Sequence, residues 1–237
     1  MDHLHLLEVH EFKNKIHLGV YGDGGYIYGS LGDEKYDCYI SAGASNEESF
    51  TRSFLRDNNM NEFNSYAFDG TIQRYPYEYT TNIAFVRKNI GDVNNDNTTN
   101  LHELIDKYNK IFIKMDIEGG EYPWISSLSE EQLQNISQIV MEFHGLTDDE
   151  WGCSYQDKVK CLEKMSRTHY IIHAHGNNYG KVVNGFPDVL ELTYVNKKYF
   201  EIKPELNKTV LPMPNFDFPN DPYQQDINLD RYPFTTE

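Results

Sequence analysis

Ile111-Phe112-Ile113-Lys114-Met115-Asp116-Ile117-Glu118-Gly119-Gly120-Glu121 decides how the rest of the chain is read. An apolar run stops abruptly at acidic residues and two adjacent glycines, as a strand does when it delivers carboxylates to a loop. Apolar residues on both faces of the run predict a strand covered by helices on both sides, and in open parallel sheets ligands sit beyond the carboxyl ends of the strands. Asp116 and Glu118 are therefore expected to line a cleft.

The sequence on either side repeats this logic. Residues 36–42 read as a strand that enters a glycine turn, and residues 47–58 carry Phe50, Phe54 and Leu55 at helical spacing. Strands are predicted over 65–68 and 82–89. The polar, Asn-rich stretch 96–100 precedes a short helix carrying Leu101, Leu104 and Ile105, with Asn100 as its cap. Ser129-Glu130-Glu131-Gln132 has the form of a capping box, so another helix begins there. A buried strand over 136–143, a helix over 156–167 and strands over 170–174 and 189–195 complete the alternation, which implies βαβ units in an α/β protein. Leu4, Leu7 and Phe12 suggest an entry helix, and the glycine-rich segment 19–32 reads as a hairpin or loop. From Pro212 the chain is an extended tail whose aromatics pack on the body or on a neighbouring subunit of a homo-oligomer. The expected organisation is a single domain over 1–237: helix and hairpin over 1–35, core over 36–200, tail over 201–237.

Bulk properties exclude several classes. Hydrophobic residues make up 39% and aromatics 14% of the 237 residues, too many core formers for a disordered chain. The net charge of −16 argues against a nucleic-acid partner, whose backbone attracts clustered Lys and Arg. No run approaches a membrane span, and the start of the chain lacks a signal-peptide pattern, so a cytoplasmic location is expected. Cys38, Cys153 and Cys161 are odd in number and lack C-x-x-C spacing, and read as reduced packing residues.

Five constellations carry chemistry. In Tyr39-Ile40-Ser41-Ala42-Gly43-Ala44-Ser45, small residues let backbone approach a ligand, although any tight strand-to-helix turn needs them. It lacks the full G-x-G-x-x-G of nicotinamide-binding proteins, and no well-placed Tyr-x-x-x-Lys supports an oxidoreductase. Asp69-Gly70 ends the next strand, where a carboxylate can accept ribose hydroxyls or cap a turn. Asp92, after the third strand, is a candidate neighbour of an adenine. Asp116 can contact a cofactor amino group or a substrate hydroxyl. Glu118 and Glu121 can orient neighbours, cap the element that follows or bind magnesium or manganese, but three acids alone do not define a metal site, and metal use is left open. His144, after Val140-Met141-Glu142-Phe143, is the favoured general base, with Asp116 its competitor. His173, His175, Asn177 and Asn178 form a polar cluster suited to a polyhydroxyl substrate or to a structural loop.

The pattern Lys114-x-Asp116-x-Glu118-Gly119-x-Glu121 closely resembles the signature of FkbM-type methyltransferases, which use S-adenosylmethionine (SAM) to methylate hydroxyl groups, often on sugars. Gly22-Asp23-Gly24-Gly25-Tyr26 and the stretch from Phe186 to Tyr194 extend the resemblance over residues 20–200. It implies a Rossmann-like fold with about seven mostly parallel strands flanked by helices. It also implies SAM lying across Ala42, Gly43, Ser45, Asp69, Gly70, Asp92 and Asp116. The acceptor then lies against His144, His173, Glu118, His175, Asn177 and Asn178, with His144, Asp116 and His173 as catalytic candidates. The expected partner is a small-molecule sugar or sugar nucleotide in polysaccharide or glycan biosynthesis. A lipid, peptide or other metabolite as acceptor, and a noncatalytic SAM-fold assembly module, are the alternatives.

Overall fold

The computed structural model describes residues 3–76 and 82–236. β1 (Lys15–Leu18) and β2 (Tyr26–Gly29) form an antiparallel hairpin around the glycine-rich turn. β3 (Cys38–Ala42) enters α1 (Ser49–Asp57), followed by β4 (Ser65–Phe68), β5 (Ala84–Val86), the two-residue strands β6 (Asn89–Ile90) and β7 (Thr98–Thr99), and α2 (His102–Lys107). β8 (Ile111–Met115) leads through α3 (Glu121–Ser127) and α4 (Glu130–Asn135) to β9 (Ile136–Phe143). α5 (Tyr155–Thr168) leads to β10 (His169–Gly176), and β11 (Val182–Val183) and β12 (Phe186–Pro187) precede β13 (Leu190–Asn196).

The main sheet has seven strands in the order β10-β13-β9-β8-β3-β4-β5. The run from β9 to β5 is parallel, and β13 is antiparallel to both β9 and β10. The fold is thus α/β, mostly parallel and Rossmann-like. From β3 the chain moves outward through β4 to β5 and then returns to β8 on the other side of β3, so the strand order reverses between β3 and β8. At such a switch point the connections leave in opposite directions and open a crevice at the carboxyl ends of the strands.

Alternation along the strands assigns the two faces. Cys38, Ile40, Ile111 and Ile113 face one apolar cluster with Trp124, Ile125 and Met165 from α3 and α5. Tyr39 and Phe112 face a second cluster with Phe50 and Phe54 of α1 and with Tyr26 and Tyr28 of the hairpin. The Phe54 and Phe112 ring centroids lie 4.1 Å apart, and Tyr28 meets Phe54 edge to face at 5.6 Å. Burying one such ring contributes about 1.5–3 kcal/mol. This aromatic packing fixes the hairpin, and therefore its glycine-rich turn, beside the crevice.

Three elements differ from the sequence reading, the first being α2, whose N-cap is Leu101 at φ 63, while Asn100 Oδ1 accepts from His102 N at 3.1 Å. The entry helix is only a 3-10 turn over Leu4–Leu7, because Leu6 and Leu7 are buried and the chain then extends to bridge Val9 to Ile171. α3 is a helix where none was predicted. Its Pro123 falls in the first turn, where the missing N–H would have no intrahelical acceptor. Among the described residues the tail has no regular element, but it packs on the body, burying Leu211, Asn220, Leu229 and Phe234. All three cysteines are free thiols. No helix among the described residues is long and apolar enough to cross a membrane.

Candidate functional site

A cleft of about 410 Å³ opens at the switch point, within the range of small-molecule sites. Gly43, Ser45, Asp69, Asp116 and Glu118 line it, with Asp23, Gly24 and Tyr26 from the hairpin on another side. Gly43 has φ +78, and a Cβ there would lie 1.6 Å from the Asp116 carbonyl oxygen. The turn after β3 and the chain after β8 are therefore in direct backbone contact, bracketed by hydrogen bonds from Gly43 N to Phe68 O and from Asp116 N to Ala42 O, both 3.0 Å. Ala42 is fully buried and serves the site through that carbonyl rather than by lining the cleft.

Asp69 lines the cleft while capping its own turn. Its carboxylate accepts from Ser45 N at 2.8 Å, Thr71 N at 2.7 Å and Thr71 Oγ1 at 2.6 Å. Burial would raise its pKa, but these hydrogen bonds outweigh burial and hold it below the ordinary carboxylate range. Gly70 packs behind the cleft wall, its N–H donating to Asn89 Oδ1 at 3.1 Å. Asp92 is exposed and lies outside the lining; Asn89 and Ile90, three and two residues earlier, occupy the wall instead.

Beyond β8 and β9 the acids converge on one imidazole. His144 Nδ1 lies 3.1 Å from Glu121 Oε1, and its Nε2 lies 3.5 Å from Glu118 Oε2, 3.9 Å from Glu142 Oε1 and 4.0 Å from Asp116 Oδ1. Burial disfavours a charged ring, but the Glu121 hydrogen bond and the charges of Glu121, Asp116 and Glu118 prevail and raise the His144 pKa. Glu142 is pushed well above the carboxylate range by burial, by Asp116 and by Glu191. These acids shift the ring toward its charged form, and Asp116, the competitor for the base role, has a buried Oδ1 with no hydrogen-bond partner among the described residues. Trp151 packs on the ring at 4.8 Å between centroids, and buried Lys158 ties the intervening loop by donating to the carbonyls of Gly145, Asp148 and Glu150.

The remaining candidates face the tail. His173 Nε2 pairs with Asp217 at 2.8 Å, and His175 is held between Glu191 and Asp226, both at 3.0 Å. Asn178 donates to Asp221 O at 3.0 Å and accepts from Asp221 N at 2.7 Å. Asn177 donates to Glu142 Oε1 at 2.5 Å. None of these four lines the cleft. They fasten the tail and the buried acid row, where sequence reasoning expected them to meet substrate.

Sequence reasoning missed Glu142 as a site residue, although a carboxylate inside the apolar strand Ile136–Phe143 was a readable signal. Trp151, Asn89 and the tail acids had no local signal. None of the curated proteins matches the chain. The family model described as methyltransferase FkbM domain matches residues 7–199, which span the hairpin, the crevice and the acid cluster, and the chain belongs to this methyltransferase family.

Proposed function

We propose that the protein is a SAM-dependent O-methyltransferase that acts in the cytoplasm on a hydroxyl of a sugar or sugar nucleotide, in polysaccharide or glycan biosynthesis. The observation that carries this reading is the convergence of Gly43, Asp69 and Asp116 on one cleft at the topological switch point. The site fits the cofactor: its volume suits a nucleoside-sized ligand, and the absent side chain at Gly43 leaves backbone open to close approach. Gly43 and Ser45 would hold the amino-acid end, Asp69 the ribose hydroxyls, Asn89 and Ile90 the base, and Asp116 the amino group. When bound, SAM supplies an electrophilic methyl group on sulfur.

The chain's own contribution is alignment and proton acceptance. The acceptor hydroxyl approaches from the side of Asp116 and Glu118, and a carboxylate of this pair takes its proton. The acidic lining, with Asp23, Asp69, Asp116 and Glu118, favours an uncharged polyol over an apolar lipid. For a sugar nucleotide it favours insertion of the sugar with the phosphates outside, since charges about 4 Å apart repel by roughly 4 kcal/mol at an effective dielectric of 20.

Calorimetry with S-adenosylhomocysteine, followed by mass spectrometry with sugars and nucleotide-activated sugars as acceptors, tests the proposal. Binding and a gain of one methyl mass are expected. Absence of binding refutes the cofactor assignment, and binding without transfer to any acceptor in a broad panel favours the noncatalytic module.

A further inference from the structure

We propose that Asp116, Glu142 and His144 form a binding site for one divalent transition-metal cation, set at the acceptor end of the cleft. One ligand atom from each of Asp116, Glu142 and His144 lies within 4.8 Å of the other two. Donors around a cation bonded at about 2.1 Å are separated by roughly 3.0–4.2 Å in tetrahedral or octahedral geometry. The Nε2 distances of 3.9 Å to Glu142 and 4.0 Å to Asp116 fall in that range.

Two observations beyond the clustering of acids point to a ligand. The His144 side chain is only 6% exposed, and its Nε2 makes no hydrogen bond among the described residues, yet it is aimed between the carboxylates. Asp116 Oδ1 is a buried atom without a hydrogen-bond partner among the described residues, on a side chain that is 27% exposed. The other ring nitrogen is already committed: Nδ1 lies 3.1 Å from Glu121 Oε1, and the Glu121 side chain is fully buried. A carboxylate accepting from Nδ1–H fixes the tautomer that presents the Nε2 lone pair to a metal, the outer arrangement found behind metal-bound histidines.

The donor set selects the ion. Imidazole beside two carboxylates suits manganese, iron or zinc better than calcium, which prefers all-oxygen shells. Three protein ligands leave coordination positions for other donors, and Asp116 is the one of the three that also lines the cleft. Resting on the methyltransferase reading, those positions suit an acceptor with two adjacent oxygens, such as a vicinal diol. A cation lowers the pKa of an oxygen bound to it, and Glu118, whose side chain is 71% exposed beside Nε2, stays free of the ion to receive the hydroxyl proton.

The test uses Mn²⁺ alone as probe, with no methyl donor. Electron paramagnetic resonance should find one tightly bound Mn²⁺ per chain, and electron spin echo should find nitrogen coupling from the imidazole. His144→Gln should abolish the nitrogen coupling. Glu121→Gln should weaken binding by about 10–100-fold, as loss of a group that orients a ligand does. Glu62→Gln, at an exposed position, should change neither signal. Circular dichroism verifies that each variant is folded, and the nitrogen coupling separates this site from weak binding elsewhere on an acidic surface. Wild-type Mn²⁺ without nitrogen coupling, or coupling that survives in His144→Gln, overturns the proposal. Calorimetry with S-adenosylhomocysteine on the same samples distinguishes failure of the metal site from failure of the methyltransferase reading.

Discussion

Gly43→Ala probes the contact on which the cleft depends. The added methyl would sit 1.6 Å from the Asp116 carbonyl oxygen, whereas real Cβ contacts are essentially never below 3.0 Å, so the two segments must part by about 1.4 Å. Alanine at φ +78 costs a further 1–2 kcal/mol, roughly, for its left-handed backbone. Parting the segments strains the Gly43 N to Phe68 O and Asp116 N to Ala42 O hydrogen bonds, each worth about 0.5–1.5 kcal/mol net. The total is about 2–5 kcal/mol, and a domain of this size loses about 2–4 °C of melting temperature per kcal/mol. Gly32→Ala supplies the control: Gly32 has φ +68 with nothing within 4 Å of its would-be Cβ, so that variant carries the backbone cost alone. Thermal unfolding should place Gly43→Ala well below Gly32→Ala. Calorimetry with S-adenosylhomocysteine should show a loss of affinity for Gly43→Ala only, since the displaced backbone is the surface a ligand approaches closely. Equal melting temperatures and equal affinities for the two variants would refute the close-approach argument.

Asp69→Asn removes the charge that anchors both its own turn and the expected ribose contact; with a charged hydrogen bond worth about 1.5–3 kcal/mol, calorimetry should read an affinity loss of about 10–150-fold. Lys158→Met leaves three carbonyls of the Gly145–Glu150 loop without their donor, and urea unfolding should show about 2–4 kcal/mol of destabilisation, with a normal midpoint arguing against the anchoring role. His175 gives a pH test. Burial alone would lower its pKa, but Asp226 and Glu191 hold it well above the ordinary value of 6.5. The stability from this pair is therefore full below 6.5 and is lost as pH rises through the raised folded value. In His175→Gln the decline of the urea midpoint between neutral and alkaline pH should flatten, and an unchanged slope would remove His175 as its source.

Local rules carried far in this chain. β4, β8 and β9 coincide with the predicted runs 65–68, 111–115 and 136–143, because buried parallel strands are written as apolar runs that end at turn residues. The capping box at Ser129 is present in both directions, from Gln132 N to Ser129 Oγ and from Ser129 N to Gln132 Oε1. Such signals act within a few residues and survive folding unchanged. The entry helix failed for the opposite reason: three apolar residues bury as readily in a 3-10 turn and an extended bridge as on a helix face.

The sequence by itself determined the strands, the Gly43 turn and the acidic ends at Asp69 and Asp116, since backbone propensity and hydrophobic period are local properties. Tertiary structure alone decided who meets whom. The tail crosses to claim His173, His175 and Asn178, Asn89 and Ile90 take the wall expected for Asp92, and Glu121 and Glu142 close around His144. Charge and hydrogen bonding at a site depend on distances between residues far apart in the chain, and those distances exist only once the sheet order is set.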